Sequence, residues 1–270
     1  MAFGLGRVYT RLLDLAIPRL RRVALCNLAM ALPELDPEKR AQVVDGVYRS
    51  IARLLVAFAR FPRITAANVQ EWIRYEGYEH FAEAMRRGRG VLFATAHLGN
   101  WELSAYAHAI LSHPMCVIAR PLDNRRIDEL VARRRTLSGN TIVAKREFAR
   151  PILKALHDNQ AVGILVDQNA SPENGAFVDF FGVPACAFTG FAKLAARSGA
   201  AVIPGFALWS EREDRWVLRF DAPIEITGDE LADTARIQSH LEQVIRQCPD
   251  QWLWIHRRWR TRPQGEAALY

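Results

Sequence analysis

The sequence predicts a single α/β domain whose central sheet is mostly parallel and flanked by helices. Helical stretches alternate with short, largely apolar runs at residues 91–95, 116–119, 141–144, 161–166, 201–208 and 216–220. Runs without polar alternation are typical of strands that are covered on both faces. The chain has 270 residues and is 50% hydrophobic, so it can bury a sizeable core, and extensive disorder is not expected.

Capping residues mark several of the helices. Asn100 can cap a helix over 100–112, and Gly199 can end one over 188–198; further helices are predicted over 123–137 and 148–158. Asp36 and Pro37 form a helix start, and Pro62 ends the apolar periodicity that follows it. We therefore expect a helical N-terminal extension over residues 1–65 and an α/β core over residues 66–270.

The first helix of this extension has two interpretations. Its apolar residues approximate one helical face and have arginines between them: Phe3, Leu5, Val8, Leu12, Leu15 and Ala16. This pattern fits a helix lying on a membrane, and equally an amphipathic helix packed on its own core. No window approaches the roughly 20 apolar residues that span a bilayer. We expect peripheral or monotopic attachment.

Charge and cysteine content narrow the classes of partner. Lys and Arg number 36 against 29 Asp and Glu, a net charge of +7, which favours an anionic membrane, nucleic acid, phosphorylated lipid or acidic carrier protein. The four cysteines are far apart, at Cys26, Cys116, Cys186 and Cys248. Their spacing predicts reduced thiols in the cytosol and no metal site.

The segment from His97 to Glu102 can carry chemistry. His97 follows the strand predicted over 91–95, at the sheet edge where α/β proteins bind ligands, and Glu102 falls in the first turn of the next helix. A neutral histidine can act as general base, and a carboxylate on its other nitrogen would fix its tautomer. The alternative is a structural histidine beside a glutamate favoured by the helix dipole.

The segment and further sequence motifs resemble those of a known protein family. His97-Leu98-Gly99-Asn100-Trp101-Glu102 matches the His-x4-acid motif of the lysophospholipid and lipid A acyltransferase superfamily. Its Gly-Asn-Trp-Glu form resembles the bacterial lauroyl/myristoyl acyltransferases of lipid A biosynthesis. Blocks similar to those of this family occur in order at residues 22–34, 118–124, 166–168, 180–204 and 252–260. The resemblance covers most of the chain and implies a glycerolipid acyltransferase-like fold.

The resemblance implies roles for individual residues. His97 is expected to activate the acceptor hydroxyl, and Glu102 to orient His97. Arg120 is expected to bind a lipid phosphate or the oxyanion, or else to form an internal ion pair. Asp167 is expected to pair with Arg120 or bind the acceptor sugar. Thr189 and Gly190 lie at a predicted helix start, a natural phosphate site.

The implied reaction is direct acyl transfer from a thioester, acyl-acyl carrier protein or acyl-CoA, to a hydroxyl of a lipid A precursor, without a cofactor or metal. The partners are then the lipid acceptor, acyl carrier protein and the cytoplasmic face of the bacterial inner membrane. Tryptophans among arginines at 252–260 suit a membrane interface. Two alternatives stay open: acylation of a phosphoglycolipid or amino-acid lipid, and a noncatalytic protein that binds membrane or nucleic acid.

Overall fold

The N-terminal quarter of the chain is helical. A computed structural model describes residues 2–144 and 148–270. The first helices are α1 (Ala2–Ala16), α2 (Pro18–Ala31) and α3 (Pro37–Arg60). Asp36 caps α3 by accepting a hydrogen bond from the backbone N–H of Lys39 at 2.7 Å, and Pro37 occupies the first turn, as predicted.

The central sheet confirms the predicted fold class. Its strands are β1 (Ile73–Glu76), β2 (Val91–Thr95), β3 (Met115–Ala119), β4 (Thr141–Ala144), β5 (Ala161–Leu165), β8 (Ala201–Ser210) and β9 (Arg215–Phe220). Their order is β1-β9-β8-β2-β5-β3-β4. Neighbours pair in parallel except β8 and β9, so β1 and β9 run opposite to the other five. A second, antiparallel pair is formed by β6 (Gly175–Phe180) and β7 (Val183–Phe188).

Both faces of the sheet are buried at its centre, which explains the apolar sequences of strands such as β2 and β5. In β2, Leu92 and Ala94 pack in one core cluster, whereas Val91 and Phe93 pack in the other. The remaining helices cover these faces and the sheet ends: α4 (Val69–Trp72), α5 (Tyr78–Arg86), α6 (Trp101–Leu111), α7 (Arg125–Thr136), α8 (Ala149–His157), α9 (Gly190–Ser198) and α10 (Glu230–Gln247). The first cluster also contains Leu28 of α2 and Val44 of α3, so the N-terminal helices share the core of the sheet.

One predicted boundary was wrong. The helix expected over 188–198 begins at Gly190, because Phe188 is still the last residue of β7 and pairs with Gly175. Thr189 occupies the N-cap position, but its side chain accepts no capping hydrogen bond.

Several apolar side chains of α1 face solvent. Val8 is 57% exposed, Leu12 60% and Leu15 78%, while Gly6 on another side of the helix lies close to Ala52 and Val56 of α3. The side chains of Phe3 and Leu5 lie outside the described residues. Across residues 2–144 and 148–270, none of the helices combines the length and hydropathy of a bilayer span.

Candidate active site

His97 and Asp167 meet because their strands are adjacent and parallel. β2 and β5 are in register at Thr95 and Leu165, and each functional residue follows two positions later. Nδ1 of His97 lies 2.9 Å from Oδ1 of Asp167. The site therefore occupies the carboxyl edge of the sheet, where ligands bind in open α/β folds.

The carboxylate of Asp167 is buried and fully engaged. Its Oδ2 accepts hydrogen bonds from the backbone N–H of His97 at 2.9 Å and from the indole N–H of Trp252 at 2.8 Å. Burial alone would raise the pKa of Asp167. The neighbouring His97 ring and the hydrogen bonds outweigh burial and hold this pKa below its ordinary value. Asp167 therefore remains a carboxylate beside the imidazole at neutral pH.

The C-terminal tryptophans lie inside the protein, so the interpretation that they contact a membrane interface is wrong. Trp252 is 2% exposed, and Trp254 and Trp259 are fully buried. The same segment is joined to the His97 loop, since the N–H of Leu253 donates to the carbonyl of His97 at 3.0 Å. The indole of Trp252 lies against Asp167, which is itself buried.

The turn after His97 depends on glycine. Gly99 has a positive φ of 63°, and a Cβ there would collide with the carbonyl oxygen of Ala207. Asn100 then caps α6 by accepting a hydrogen bond from the N–H of Leu103 at 3.0 Å. Trp101 begins the helix, and its ring meets that of His97 edge-on at a centroid distance of 5.0 Å.

Glu102 does not hold His97, which corrects the expected pairing. It lies in the first turn of α6 as predicted, but its carboxylate forms a bidentate ion pair with Arg135 of α7, with Nε–Oε2 at 2.9 Å and Nη2–Oε1 at 2.6 Å. Asp167 already occupies Nδ1 of His97. Burial alone would lower the pKa of Arg135, but its bond to Glu102 raises it above the ordinary value.

An open cavity of about 630 Å³ contains His97, Glu102 and Arg135 in its lining. Much of the remaining wall is apolar, with residues such as Trp101, Val117, Ile118, Leu122, Phe148 and Phe188. On the His97 ring, the nitrogen not bonded to Asp167, Nε2, lies 3.4 Å from the amide nitrogen of Gln168. Charged and apolar surfaces in one cavity suit an amphiphilic ligand.

Arg120 lies at the rim of this cavity and does not pair with Asp167. Its side chain is 78% exposed, and its ion-pair partner is Asp123, with Nη2–Oδ1 at 3.5 Å. Asp167 is held by His97 and Trp252 instead. Arg120 is thus placed to contact a ligand entering the cavity, and the internal ion pair with Asp167 that we considered is not formed.

Thr189 and Gly190 lie outside the lining of the cavity, although their neighbour Phe188 is part of it. A Cβ at Gly190 would collide with the ring of Phe188. Glu230 lies beside this helix start: hydrogen bonds from Thr189 and Lys193 lower its pKa, and Lys193 Nζ lies 3.0 Å from Glu230 Oε1. A phosphate at this position would meet that carboxylate.

Sequence reasoning missed two arginines that shape the site. Arg135 binds Glu102, whereas Arg258 is fully buried and donates to the carbonyl of Cys186 at 2.8 Å and to Oε1 of Gln238 at 3.0 Å. Burial lowers the pKa of Arg258 to about 10. The available signal for pairing His97 with Asp167 was that each of them follows an apolar run predicted to be a strand of one parallel sheet. Among residues 2–144 and 148–270, no group of three His, Cys, Asp or Glu side chains is arranged to hold a metal ion.

Together, the fold and the site define an α/β enzyme with a histidine–carboxylate pair beside a cavity for an amphiphilic ligand. The chain belongs to the bacterial lipid A biosynthesis acyltransferase family, whose model matches residues 5–261. It is 30% identical to the lipid A biosynthesis palmitoleoyltransferase of Escherichia coli K12 over 268 residues, covering 97% of this chain and 86% of that protein.

Two further Escherichia coli K12 relatives also match over most of their own length and most of this chain. Identity is 26% to the lipid A biosynthesis lauroyltransferase, over 99% of this chain and 86% of the relative. Identity is 23% to the lipid A biosynthesis myristoyltransferase, over 93% and 78% respectively. The protein is therefore an acyltransferase, as its sequence motifs predicted.

Proposed function

We propose that the protein transfers a fatty acyl chain from an acyl thioester to a hydroxyl group of a lipid A precursor, with His97 as the general base. The observation that carries this proposal is the bond between Nδ1 of His97 and the buried carboxylate of Asp167, beside the cavity. A carboxylate on Nδ1 fixes the proton there and leaves a lone pair on Nε2. Nε2 can then accept the proton of a hydroxyl.

The reaction balances without any covalent enzyme intermediate. The acceptor oxygen attacks the thioester carbonyl carbon while Nε2 of His97 takes the hydroxyl proton. The tetrahedral intermediate then collapses, the carbon–sulfur bond breaks, and His97 returns the proton to the leaving thiolate. Asp167 stabilises the imidazolium between these steps, because its ionised carboxylate lies 2.9 Å from Nδ1.

The lipid A precursor is the acceptor that the named relatives favour, since all three are lipid A biosynthesis acyltransferases. A lipid A precursor is anionic and amphiphilic, which matches the exposed guanidinium of Arg120 at the rim of a largely apolar cavity. We propose that Arg120 contacts a phosphate of this acceptor. The proposed donor is acyl-acyl carrier protein, an acidic protein that suits the net charge of +7.

We also propose that the enzyme works on the cytoplasmic surface of the inner membrane and that α7 contacts the lipid. Ile127, Leu130 and Leu137 are 51%, 52% and 54% exposed, and their spacing places them on one face of the helix. The exposed Arg126 and Arg133 lie along one side of this stripe. Apolar residues bordered by arginine suit an interface with anionic lipid.

The α7 stripe lies close to the cavity through the loop that precedes the helix. Leu122 in this loop lines the cavity and is 44% exposed. At the other end of α7, Arg135 lines the cavity and Arg134 donates to the carbonyl of Ala59 in α3 at 2.7 Å. A bilayer in contact with α7 would therefore adjoin the cavity that contains His97.

The test is acyl transfer by the purified protein. Lauroyl-, myristoyl- and palmitoleoyl-acyl carrier protein are offered with a lipid A precursor, and mass spectrometry follows the gain of one acyl chain. We expect His97→Ala to reduce transfer by about 10³-fold or more. His157→Ala is the matched control because the side chain of His157 is 90% exposed and lies outside the cavity lining.

Two results would refute parts of this proposal. Full transfer by His97→Ala would remove the general-base role. Transfer by the wild type to a mannosylated phosphatidylinositol but not to the lipid A precursor would replace the acceptor while retaining the chemistry.

A further inference from the structure

A small apolar cavity of about 40 Å³ lies between α6 and the sheet. Its lining includes Phe93, Met115, Gly163, Gly205 and Phe220. Thr95, Ser104 and His108 also line it, and the Thr95 hydroxyl is satisfied by donating to the carbonyl of Gly205 at 2.6 Å. This lining is suited to a hydrocarbon rather than to a charged group.

The small cavity adjoins the cavity that contains His97. Trp101, Ala105, Val117 and Leu165 line both. The indole of Trp101 lies with its centroid 5.0 Å from that of the His97 ring. The direction from His97 along Trp101 therefore leads toward the small cavity.

Two glycines, on the strands that flank β2 on either side, provide the space. Gly163 of β5 lies opposite Phe93 of β2 and Val117 of β3 in the sheet, and Gly205 lies in β8. A Cβ at Gly163 would lie 2.9 Å from Cε of Met115, and a Cβ at Gly205 would lie 3.1 Å from ring carbons of Phe220. Glycine in a strand interior forgoes side-chain packing and often marks a site where another group approaches closely.

We propose that this cavity receives the methyl end of the transferred acyl chain, and that Met115, Gly163 and Gly205 limit its length. The proposal rests on the acyl transfer proposed above. The cavity is small, and its walls are packed side chains and strand backbone that yield little to a larger group. One additional methylene in such a pocket changes discrimination by roughly tenfold or more. Chain length is then set by the volume left beside Met115 and the two glycines.

The experiment measures donor preference. Decanoyl-, lauroyl-, myristoyl- and palmitoyl-acyl carrier protein compete for one lipid A precursor, and mass spectrometry gives the product ratios. Gly163→Ala fills the cavity and should shift the ratio toward shorter chains by about tenfold. Met115→Ala enlarges the cavity and should shift the ratio toward longer chains by a similar factor. The double variant should return toward the wild-type ratio.

Val162→Ala is the matched control. Val162 neighbours Gly163 in β5, but its side chain packs in the cluster on the opposite face of the sheet. It is buried, so the change loosens the core without altering the cavity, and the donor ratio should stay at the wild-type value. Thermal unfolding of each variant verifies that the compared proteins are folded.

Three outcomes would overturn the assignment. Unchanged ratios in folded, active Gly163→Ala and Met115→Ala would show that the cavity does not limit the donor chain. A change confined to the KM of the acceptor would assign the cavity to an acyl chain of the acceptor instead. A wild type that transfers no chain from any of these donors would refute the proposed function itself, and the chain-length role with it.

Discussion

Nδ1 of His97 and Oδ1 of Asp167 lie 2.9 Å apart across two adjacent parallel strands, β2 and β5. Both residues lie two positions beyond the last paired residues of their strands. The backbone thus positions the two side chains relative to each other. Preorganisation of this kind removes the need to order the pair when substrate binds.

Replacing Asp167 with asparagine should lower kcat by about 10³- to 10⁴-fold at neutral pH, because an amide can favour the wrong tautomer of His97. Asp167 is a positioning residue, so KM for the acyl donor should change little. Initial rates over a range of donor concentrations separate the two constants. Because the lowered pKa of Asp167 means that its carboxylate also stabilises the fold at neutral pH, the unfolding temperature should fall, and rates are compared below the unfolding temperature of the variant.

A wild-type kcat in a folded Asp167→Asn protein would contradict the assignment of Asp167. Trp252→Phe provides an independent test, since it removes the indole N–H that donates to Oδ2 of Asp167 at 2.8 Å. Loss of a hydrogen bond to a charged group should lower kcat by about tenfold, with the same unchanged KM.

Glu102 and Arg135 should be energetically coupled to each other rather than to His97. Their side chains are only 13% and 24% exposed, and their two hydrogen bonds form a bidentate pair. A double-mutant cycle with Glu102→Gln and Arg135→Gln should yield a coupling free energy of about 1–2 kcal/mol in urea unfolding.

The exposed pair of Glu83 and Arg87 is the control for this cycle. It joins helix positions four apart at 3.0 Å, with side chains 58% and 62% exposed, and solvent-exposed pairs of this kind contribute about 0.3–0.5 kcal/mol. Coupling at Glu102 no larger than in this control would contradict a stabilising role for the Glu102–Arg135 pair.

The pairing of Glu102 with Arg135 could not be predicted from the sequence. The position of Glu102 in the first turn of α6 followed from the Asn100 cap. Its partner did not, because Arg135 is 33 residues away on α7, and local spacing carries no information about how two helices face each other. The partner of His97 was easier to infer than that of Glu102. His97 and Asp167 both follow predicted strands, and parallel pairing of these strands places the two residues together.

Most strands of the central sheet were predictable because they fall on largely apolar runs. The strands β2, β3, β4, β5, β8 and β9 all fall on runs identified in the sequence. The edge strand β1 has only four residues and the pattern Ile-Arg-Tyr-Glu, which lacks such a run. The interpretation of Trp252 as a membrane-interface residue was wrong because arginines lie nearby in the sequence, a pattern that is also typical of such interfaces. Tertiary packing buries the indole behind Asp167, and composition alone could not separate that position from a membrane interface.

Acidification should destabilise the protein partly through His108. Burial, assisted by the nearby His113, lowers the pKa of His108 from 6.5 to about 3. Between about pH 6.5 and pH 3 the unfolded chain binds a proton at this residue that the folded chain does not, so stability falls as pH falls. Linkage gives a loss of about 2 kcal/mol between pH 6 and pH 4 from this residue.

His108→Gln should flatten this part of the stability profile. The variant does not titrate, and its amide can still bond the Tyr75 hydroxyl, which lies 2.7 Å from Nδ1 of His108 in the wild type. Urea unfolding at several pH values measures the difference. His157→Gln is the control because its side chain is 90% exposed, and it should follow the wild-type curve. Parallel curves for wild type and His108→Gln would contradict the prediction.

Charge reversal on α7 should weaken attachment to anionic membranes. Arg126 and Arg133 are exposed beside the apolar stripe, and each arginine near such a surface contributes about 1 kcal/mol. The double variant Arg126→Glu/Arg133→Glu should therefore bind vesicles of phosphatidylglycerol and phosphatidylethanolamine at least tenfold more weakly in a sedimentation assay. Arg86→Glu/Arg87→Glu is the matched control, since these residues are also exposed, at the end of α5, but border no such stripe. Equal loss in both variants would show that binding follows net charge alone, and undiminished binding by the α7 variant would exclude α7 as the contact with lipid.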